Sequence, residues 1–249
     1  MEPILYSALT GGRADFKKQE MIANNLANVN TPGFKADLYQ AQTMYMTRAD
    51  GTQSNDGHSF VVQVANGVDF TPGEIMTTGR DLDVAIDGDG WMAVRDNQGR
   101  ESYTRGGSLR LDVNGRLVTS SGKVVLGDGG PISIPPAKSI EIGNDGTISI
   151  VPLEGDVKSL AILDRIKFVK LDRNNVTKNE EGLLQIAQGG NPAADGTVKV
   201  VGGALEGSNV NAVEQMVGMI SAGREFEAHM KLMTTVDENG AKLAQVLQV

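Results

Sequence analysis

Asn24-Asn25-Leu26-Ala27-Asn28-Val29-Asn30-Thr31-Pro32-Gly33-Phe34 is where the chain stops reading as helix and starts reading as strand. Pro32 disfavours the α region at Thr31, and Pro-Gly fits the central positions of a type II turn, where Gly33 supplies the positive φ. A helix entering this stretch is predicted to end near Asn28 to Asn30. Upstream, apolar or small residues recur at Leu5, Ala8, Gly12, Ile22, Leu26 and Val29, the three-and-four spacing of one helix face. Gly costs about 1 kcal/mol relative to Ala inside a helix, so Gly11-Gly12 predicts frayed first turns or a later helix start.

The far end of the chain turns helical again. Asn211, with Glu214 three residues on, reads as an N-cap with its capping-box partner. Beyond it Met216, Met219, Gly223, Phe226, Met230, Met233, Asp237, Gly240, Ala244 and Leu247 alternate in steps of three and four, the spacing of a coiled-coil seam. A single seam of this kind buries too little to offset the ordering of a long helix. More of the helix must be covered, by the N-terminal helix or by neighbouring copies.

The segment from Phe34 to about Val64 reads as a connector with little core, with a short helical stretch around Leu38, Ala41 and Tyr45 and a polar loop from Asp50 to Ser59. From Thr77 the texture changes to short apolar runs between turn pairs. Leu82 to Ile86, Asp87-Gly88-Asp89-Gly90 and Trp91 to Val94 read as strand, turn, strand. Leu109 to Val113, Asn114-Gly115 and Arg116 to Val118 read as a hairpin with a type I′ turn. Ile140 to Ile142 with Ile148 to Ile150, and Ile166 to Leu171 with Leu183 to Ile186, extend the pattern. The predicted fold class is mixed: a mainly antiparallel β body with helical termini. Its expected divisions are a helical inner domain of 1–33 with 206–249, a connector of 34–76 with 187–205, and a β outer domain of 77–186.

Composition narrows the function. A chain of 249 residues with 40% apolar content can build a real core, and 31 Gly with 4% aromatics lean toward turns and short strands. The net charge of −8 argues against a nucleic-acid partner, whose phosphates need clustered cations; Lys17-Lys18 is only a solvated pair. There is no cysteine, so neither disulfides nor thiolate chemistry enter. The start Met1-Glu2-Pro3 lacks a basic segment and its apolar stretch breaks at Gly11-Gly12, so no cleaved secretory signal is expected. No apolar run approaches the ~20 residues that span a bilayer.

No catalytic or metal-binding pattern emerges. His58 and His229 have no Cys or carboxylate at ligand spacing. Asp81, Asp83, Asp87 and Asp89 do not meet the EF-hand order and are explained by turn geometry. Gly122-Lys123 lacks the rest of a phosphate loop, Gly127-Asp128-Gly129-Gly130 precedes a proline and a strand, and no Gly-x-Ser-x-Gly elbow exists. No cofactor or metal is expected. Trp91 is the sole indole that could stack on a sugar in a secreted carbohydrate-binding module or enzyme; its position after a tight turn favours a core role.

Asn24 to Phe34 resembles the N-terminal motif of the rod and hook family of bacterial flagellar axial proteins, an Asn-Asn-Leu-Ala-Asn core followed by Thr-x-Gly-Phe (Asn24, Asn25, Leu26, Ala27, Asn28, Thr31, Pro32, Gly33 and Phe34 here). The body is similar at Leu82 to Trp91, at Tyr103-Thr104-Arg105 and at Gly115 to Thr119. The tail is similar at Leu205-Glu206-Gly207-Ser208-Asn209-Val210-Asn211 and Val213 to Met216. Leu205 to Val210, with Val236-Asp237-Glu238-Asn239, looks most like the proximal-rod members, with the distal-rod members next. Gly106, where the family pattern has Asn, and the Gly11-Gly12 pair are departures.

The resemblance implies a structural subunit, not an enzyme, exported unfolded by the flagellar type III apparatus and polymerised in the periplasmic space into the rod of the basal body. Its partners would be other rod subunits, proximal and distal, and its own copies in a helical assembly. Leu5, Ala8, Ile22, Leu26, Val29, Met216, Met219, Phe226, Met230, Met233, Ala244 and Leu247 would be the helix residues at subunit interfaces. Glu206, Ser208, Asn209 and Val210 would complete the family motifs.

Overall fold

The computed structural model describes residues 2–45, 59–153 and 160–246. Of the polar loop expected from Asp50 to Ser59, all but Ser59 lies outside the described residues, as does the last seam position, Leu247. The chain is mostly β with one helix at each end, and it forms two compact units. The first comprises 1–28, 37–69 and 210–249, and the second 29–36 and 70–209.

In the first unit, α1 (Glu2–Ala27) and α2 (Ala212–Val246) run antiparallel. Lys18 Nζ meets Glu225 Oε2 at 2.9 Å, and Asn25 Nδ2 reaches Gln215 Oε1 at 3.4 Å. The helix end predicted near Asn28 is observed, since Asn28 donates its amide back to Asn24 and Asn25 and the turn follows. The expected weak start is not. α1 runs unbroken through Gly11-Gly12, because a Cβ at Gly11 would stand 2.6 Å from the His229 imidazole of α2. The glycine that weakens the isolated helix is what lets its partner approach.

α2 starts as expected, with Asn211 Oδ1 accepting from the amides of Val213 (3.0 Å) and Glu214 (3.3 Å). Its less exposed residues include Gln215, Met219, Ala222, Phe226, His229, Met233, Val236 and Gly240. The anticipated seam shares Met219, Phe226, Met233 and Gly240 with that row, and its Gly223 is half-buried too. At the alternate positions the row passes one residue earlier, through Gln215, Ala222, His229 and Val236. The reason is steric and polar: Ile22 packs on Gly218, the His229 ring occupies the space over Gly11, and Gln215 bonds to Asn25. Met216 and Met230 face outward, 53% and 44% exposed.

A hairpin of β1 (Asp37–Tyr45) and β2 (Ser59–Val68) completes this unit, with a register shift between Gln42 and Thr43. It packs along α1, and the Tyr39 hydroxyl donates to the Ala14 carbonyl at 3.2 Å. The short helix anticipated around Leu38, Ala41 and Tyr45 is thus a strand. Its pairing partner, rich in β-branched residues at Val61-Val62-Gln63-Val64, lies beyond any local window and overrides the weak helical period.

The second unit contains β3 (Ile75–Thr77), β4 (Val84–Asp87), β5 (Trp91–Arg95), β6 (Glu101–Thr104), β7 (Leu109–Leu111), β8 (Leu117–Thr119) and β9 (Val124–Gly127). Among the described residues a nine-stranded sheet runs in the order Val176–Lys178, Leu184–Ile186, β6, β5, β9, β8, β7, with Gly130–Pro131 beside β9 and Phe168–Val169 beside β5. A three-stranded sheet is built from Ala137–Ile142, Thr147–Pro152 and Ala161–Arg165. β4 pairs with Lys199–Gly202 and β3 with Ala204–Glu206, and every pairing is antiparallel. Val84, Met92, Val94, Leu117, Val125, Ile132, Ile148 and Ile166 form the heart of one apolar core, each nearly sealed from solvent.

The hairpin at Asn114-Gly115 is present, but its turn is not type I′. Among the described residues only glycines have positive φ, so Asn114 does not adopt that turn. Instead the Gly115 amide bonds Asp112 O at 3.0 Å and the Asp112 amide bonds Arg116 O at 2.9 Å, a type I turn closed by a glycine in αL. Asp112 Oδ1 accepts from the amides of Asn114 and Arg116, which stabilises this alternative. The same pattern closes Asp96 to Arg100 and Asn179 to Leu183.

Candidate functional site

The N-terminal motif divides between the two units. In the helical unit Asn25, 1% exposed, offers both faces of its amide to one backbone: Oδ1 accepts from the Asp37 amide at 2.8 Å, and Nδ2 donates to the Asp37 carbonyl at 3.0 Å. It thereby fixes where β1 leaves the helix. Of the twenty side chains only Asn and Gln carry a donor and an acceptor in this arrangement, and Asn is the shorter. Asn28 Nδ2 caps the Asn24 carbonyl at 2.9 Å. Asn24 and Ala27 are exposed and Leu26 is half-buried.

The second half, from Thr31 onward, lies in the β unit. Thr31, Pro32, Gly33 and Phe34 make the expected turn, with Gly33 at φ 72° and the Phe34 amide on the Thr31 carbonyl at 3.2 Å. Here they meet the C-terminal motif. The Gly33 amide donates to the Glu206 carbonyl at 2.7 Å, and Asn209 Oδ1 accepts from the Ala36 amide at 2.8 Å while its Nδ2 donates to Thr71 O at 3.1 Å. Motif segments separated by about the length of the whole β unit are laced together.

Glu206 is the hub. Its carboxylate, 1% exposed, accepts from Lys35 Nζ at 2.6 Å, Arg105 Nη1 at 2.9 Å and the Gly73 amide at 2.9 Å. Lys35 also donates to Thr71 O, and Arg105 to the carbonyls of Ile86 and Gly88. Arg105 stacks on Trp91, 5.2 Å from the ring centroid, and Phe70 meets Trp91 edge-on at 5.8 Å. Breaking such a buried pair from one side leaves an uncompensated charge, which costs about 3–5 kcal/mol. Lys35 was not singled out in the sequence, and Arg105 only as part of the Tyr103-Thr104-Arg105 stretch, since their shared partner Glu206 lies 171 and 101 positions away. The one available signal was two cations beside family motifs, following Pro-Gly-Phe and Tyr-Thr.

The helix residues expected at subunit interfaces are placed as follows. Ala8 and Ile22 are buried within the helical unit, and Met219, Phe226 and Met233 are half-buried. Leu5 lies on α1 and Ala244 on α2. Val29 falls past the end of α1 and belongs with the β unit, half-buried. Ser208 is half-buried and Val210 buried. On α2, Val213, Met216, Val217 and Ile220 form a stripe 70%, 53%, 59% and 58% exposed, and Leu9 and Phe16 of α1 are exposed as well.

The titratable groups are structural. Burial pushes the Asp15 carboxyl above its ordinary range, partly opposed by His229, whose Nε2 stands 3.5 Å away. Asp83 is buried and accepts from Thr78 Oγ1, whereas Asp81, Asp87 and Asp89 are exposed; among the described residues no cluster of His, Cys, Asp and Glu could hold a metal ion. Trp91 is 7% exposed and held under Arg105, so its faces serve the unit's interior and not a sugar surface. No helix among the described residues is long and apolar enough to cross a membrane.

Long-range motif lacing around a buried carboxylate, with apolar side chains left outside on the terminal helices, is the make-up of a structural subunit. Three family models match: the flagella basal body rod protein model over 5–35, the flagellar hook protein FlgE/F/G D1 domain over 85–150, and the flagellar basal body rod FlgEFG protein C-terminal model over 201–246. The chain is 37% identical to the flagellar basal-body rod protein FlgF of Salmonella typhimurium and, equally, to that of Escherichia coli K12, over the full length of both chains in each case. It is 35% identical to the rod protein FlgG of Bacillus subtilis, covering 94% of this chain and 95% of the relative. The chain belongs to the flagellar basal-body rod protein family, as a structural subunit.

Proposed function

We propose that this chain is a subunit of the proximal rod, delivered by the flagellar type III apparatus and polymerised in the periplasmic space with its own copies and with other rod proteins into a shaft that transmits torque. Its full-length likeness to proteins named FlgF supports the proximal position. In this reading the helices of 1–33 and 206–249 form the inner layer of the rod, where they pack as coiled coils with those of neighbouring subunits.

The observation that carries the reading is the exposed stripe Val213, Met216, Val217 and Ile220. Each of these side chains gains about 1.5–3 kcal/mol when fully buried, enough to drive association once several are covered together. Met216 and Met230 suit contacts with non-identical neighbours, because an unbranched thioether adapts its shape. Because the chain has no cysteine, one introduced at Val217 is a unique cross-linking point. The test is whether Val217→Cys cross-links to another rod subunit in isolated basal bodies, and whether Val217→Glu with Ile220→Glu abolishes motility while the purified variant keeps its unfolding midpoint. Normal motility with that double replacement would refute the interface.

A further inference from the structure

α1 and α2 share an ionisable contact that is largely withdrawn from water. His229 Nε2 of α2 stands 3.5 Å from Asp15 Oδ2 of α1, with side-chain exposures of 38% and 14%. Both helices shape it. Gly11 and Asp15 are four residues apart and therefore share one face of α1. A Cβ at Gly11 would come within 3.1 Å of Cε1, Nε2 and Nδ1 of His229, so the imidazole lies directly over the bare glycine, with Nε2 toward Asp15. Asp15 Oδ2 is itself sealed from solvent and has no hydrogen-bond partner.

Buried acceptors are almost always satisfied, so the orphaned oxygen marks a place where a proton is needed. Either the imidazole carries it and pairs with the carboxylate, or the carboxyl carries it. The neighbouring charges do not take its place. Lys18 attracts Asp15 but is already paired with Glu225 at 2.9 Å, and Glu225 adds a like charge. From β1 the group facing Asp15 is Tyr39, whose hydroxyl donates to the Ala14 carbonyl, while Asp37 sits beside Asn25, roughly three turns along α1. β2 carries no titratable side chain.

We propose that Asp15 and His229 form a proton-dependent latch between α1 and α2, closed in mild acid and weakened above neutrality. Burial raises the Asp15 carboxyl above its ordinary range, with His229 opposing it, Glu225 adding to it and Lys18 opposing it. A carboxyl raised on folding contributes stability that is complete below its unfolded value, about 3.9, and is lost as pH rises through the folded one. An imidazole, which ordinarily changes charge between about pH 5 and 8, acts in the same direction. Protonated, it donates to the ionised carboxylate; neutral, it leaves a buried charge unmatched. The inference stands independently of the rod position, since it rests on the helical unit alone.

The full-length chain is melted at pH 5.5 and at pH 8, followed by circular dichroism at 222 nm, beside Asp15→Asn. The unmutated chain should melt about 2–4 °C higher at pH 5.5. Asp15→Asn keeps the shape and cannot ionise, so it should close most of that gap by melting higher at pH 8; carboxylates elsewhere titrate alike in both chains and cancel in the comparison. A second measurement needs no stability change. Carboxyl 13C NMR of the unmutated chain should show Asp15 titrating above the ordinary carboxylate range, and higher still in His229→Phe, which keeps a ring over Gly11 but carries no proton. No gap in the unmutated chain, a gap that Asp15→Asn leaves unchanged, or an Asp15 titration that His229→Phe does not move overturns the latch.

Discussion

Replacing Glu206 with Gln removes one negative charge and almost no volume, so its effect isolates the electrostatics of the hub. In the native chain the carboxylate lies between Lys35 at 2.6 Å and Arg105 at 2.9 Å, with side-chain exposures of 3% and 5% for the two cations. After the exchange both cations stay buried, and the amide's NH2 can face only donors. The penalty for breaking a buried pair from one side is about 3–5 kcal/mol. Against a typical total of about 5–15 kcal/mol that is a large share, equivalent to a Tm shift of roughly 10 °C for a chain of this size. Urea unfolding followed by Trp91 emission reads the β unit, because Trp91 packs under Arg105. Lys35→Met in the Glu206→Gln background should recover part of the loss, the mark of coupling in a double-mutant cycle. A loss below about 1 kcal/mol, or strict additivity, would mean that the hub is solvated and the reasoning fails.

Two further outcomes follow from particular atoms. Gly12→Ala should stabilise the helical unit by about 1 kcal/mol through helix propensity, since its new Cβ would lie 3.8 Å from His229 Cβ; Gly11→Ala should forfeit that gain, its Cβ standing 2.6 Å from the imidazole. Circular dichroism at 222 nm during thermal unfolding distinguishes the pair. At Asp96, burial pushes the carboxyl pKa up, but the Arg100 amide, the Arg100 guanidinium and the Gln98 amide outweigh it and hold the pKa below 3.8. A depressed folded pKa gives stability that is present above the unfolded pKa and lost as pH falls through the folded value. Asp96→Asn should therefore weaken the β unit at pH 7 and narrow its gap from the unmutated chain in strong acid, measured by urea midpoints across pH 2 to 7; a constant gap would refute the assignment.

What can be read from the chain is what neighbours in sequence decide. The helix stop before Thr31, the turn at Pro32-Gly33 and the Asn211 cap all close within four residues, and each is found where expected. Even there a single side chain can redirect the outcome, as the Asp112 carboxylate does by capping a type I turn where Asn-Gly alone favours type I′.

Sequence by itself determined the mainly β body, the helical ends and the family, because periodicity, turn chemistry and motif order are one-dimensional properties. Tertiary structure alone decided three things. It chose the face of α2 that meets α1, since Gly11 and Gly218 admit close approach where His229 and Ile22 need room. It paired residues 37–45 with 59–68 as antiparallel strands, because a strand is stabilised by its partner and not by its own period. It brought Lys35, Arg105 and Glu206 onto one buried site, through burial and charge pairing between residues as far as 171 positions apart, which no local pattern encodes.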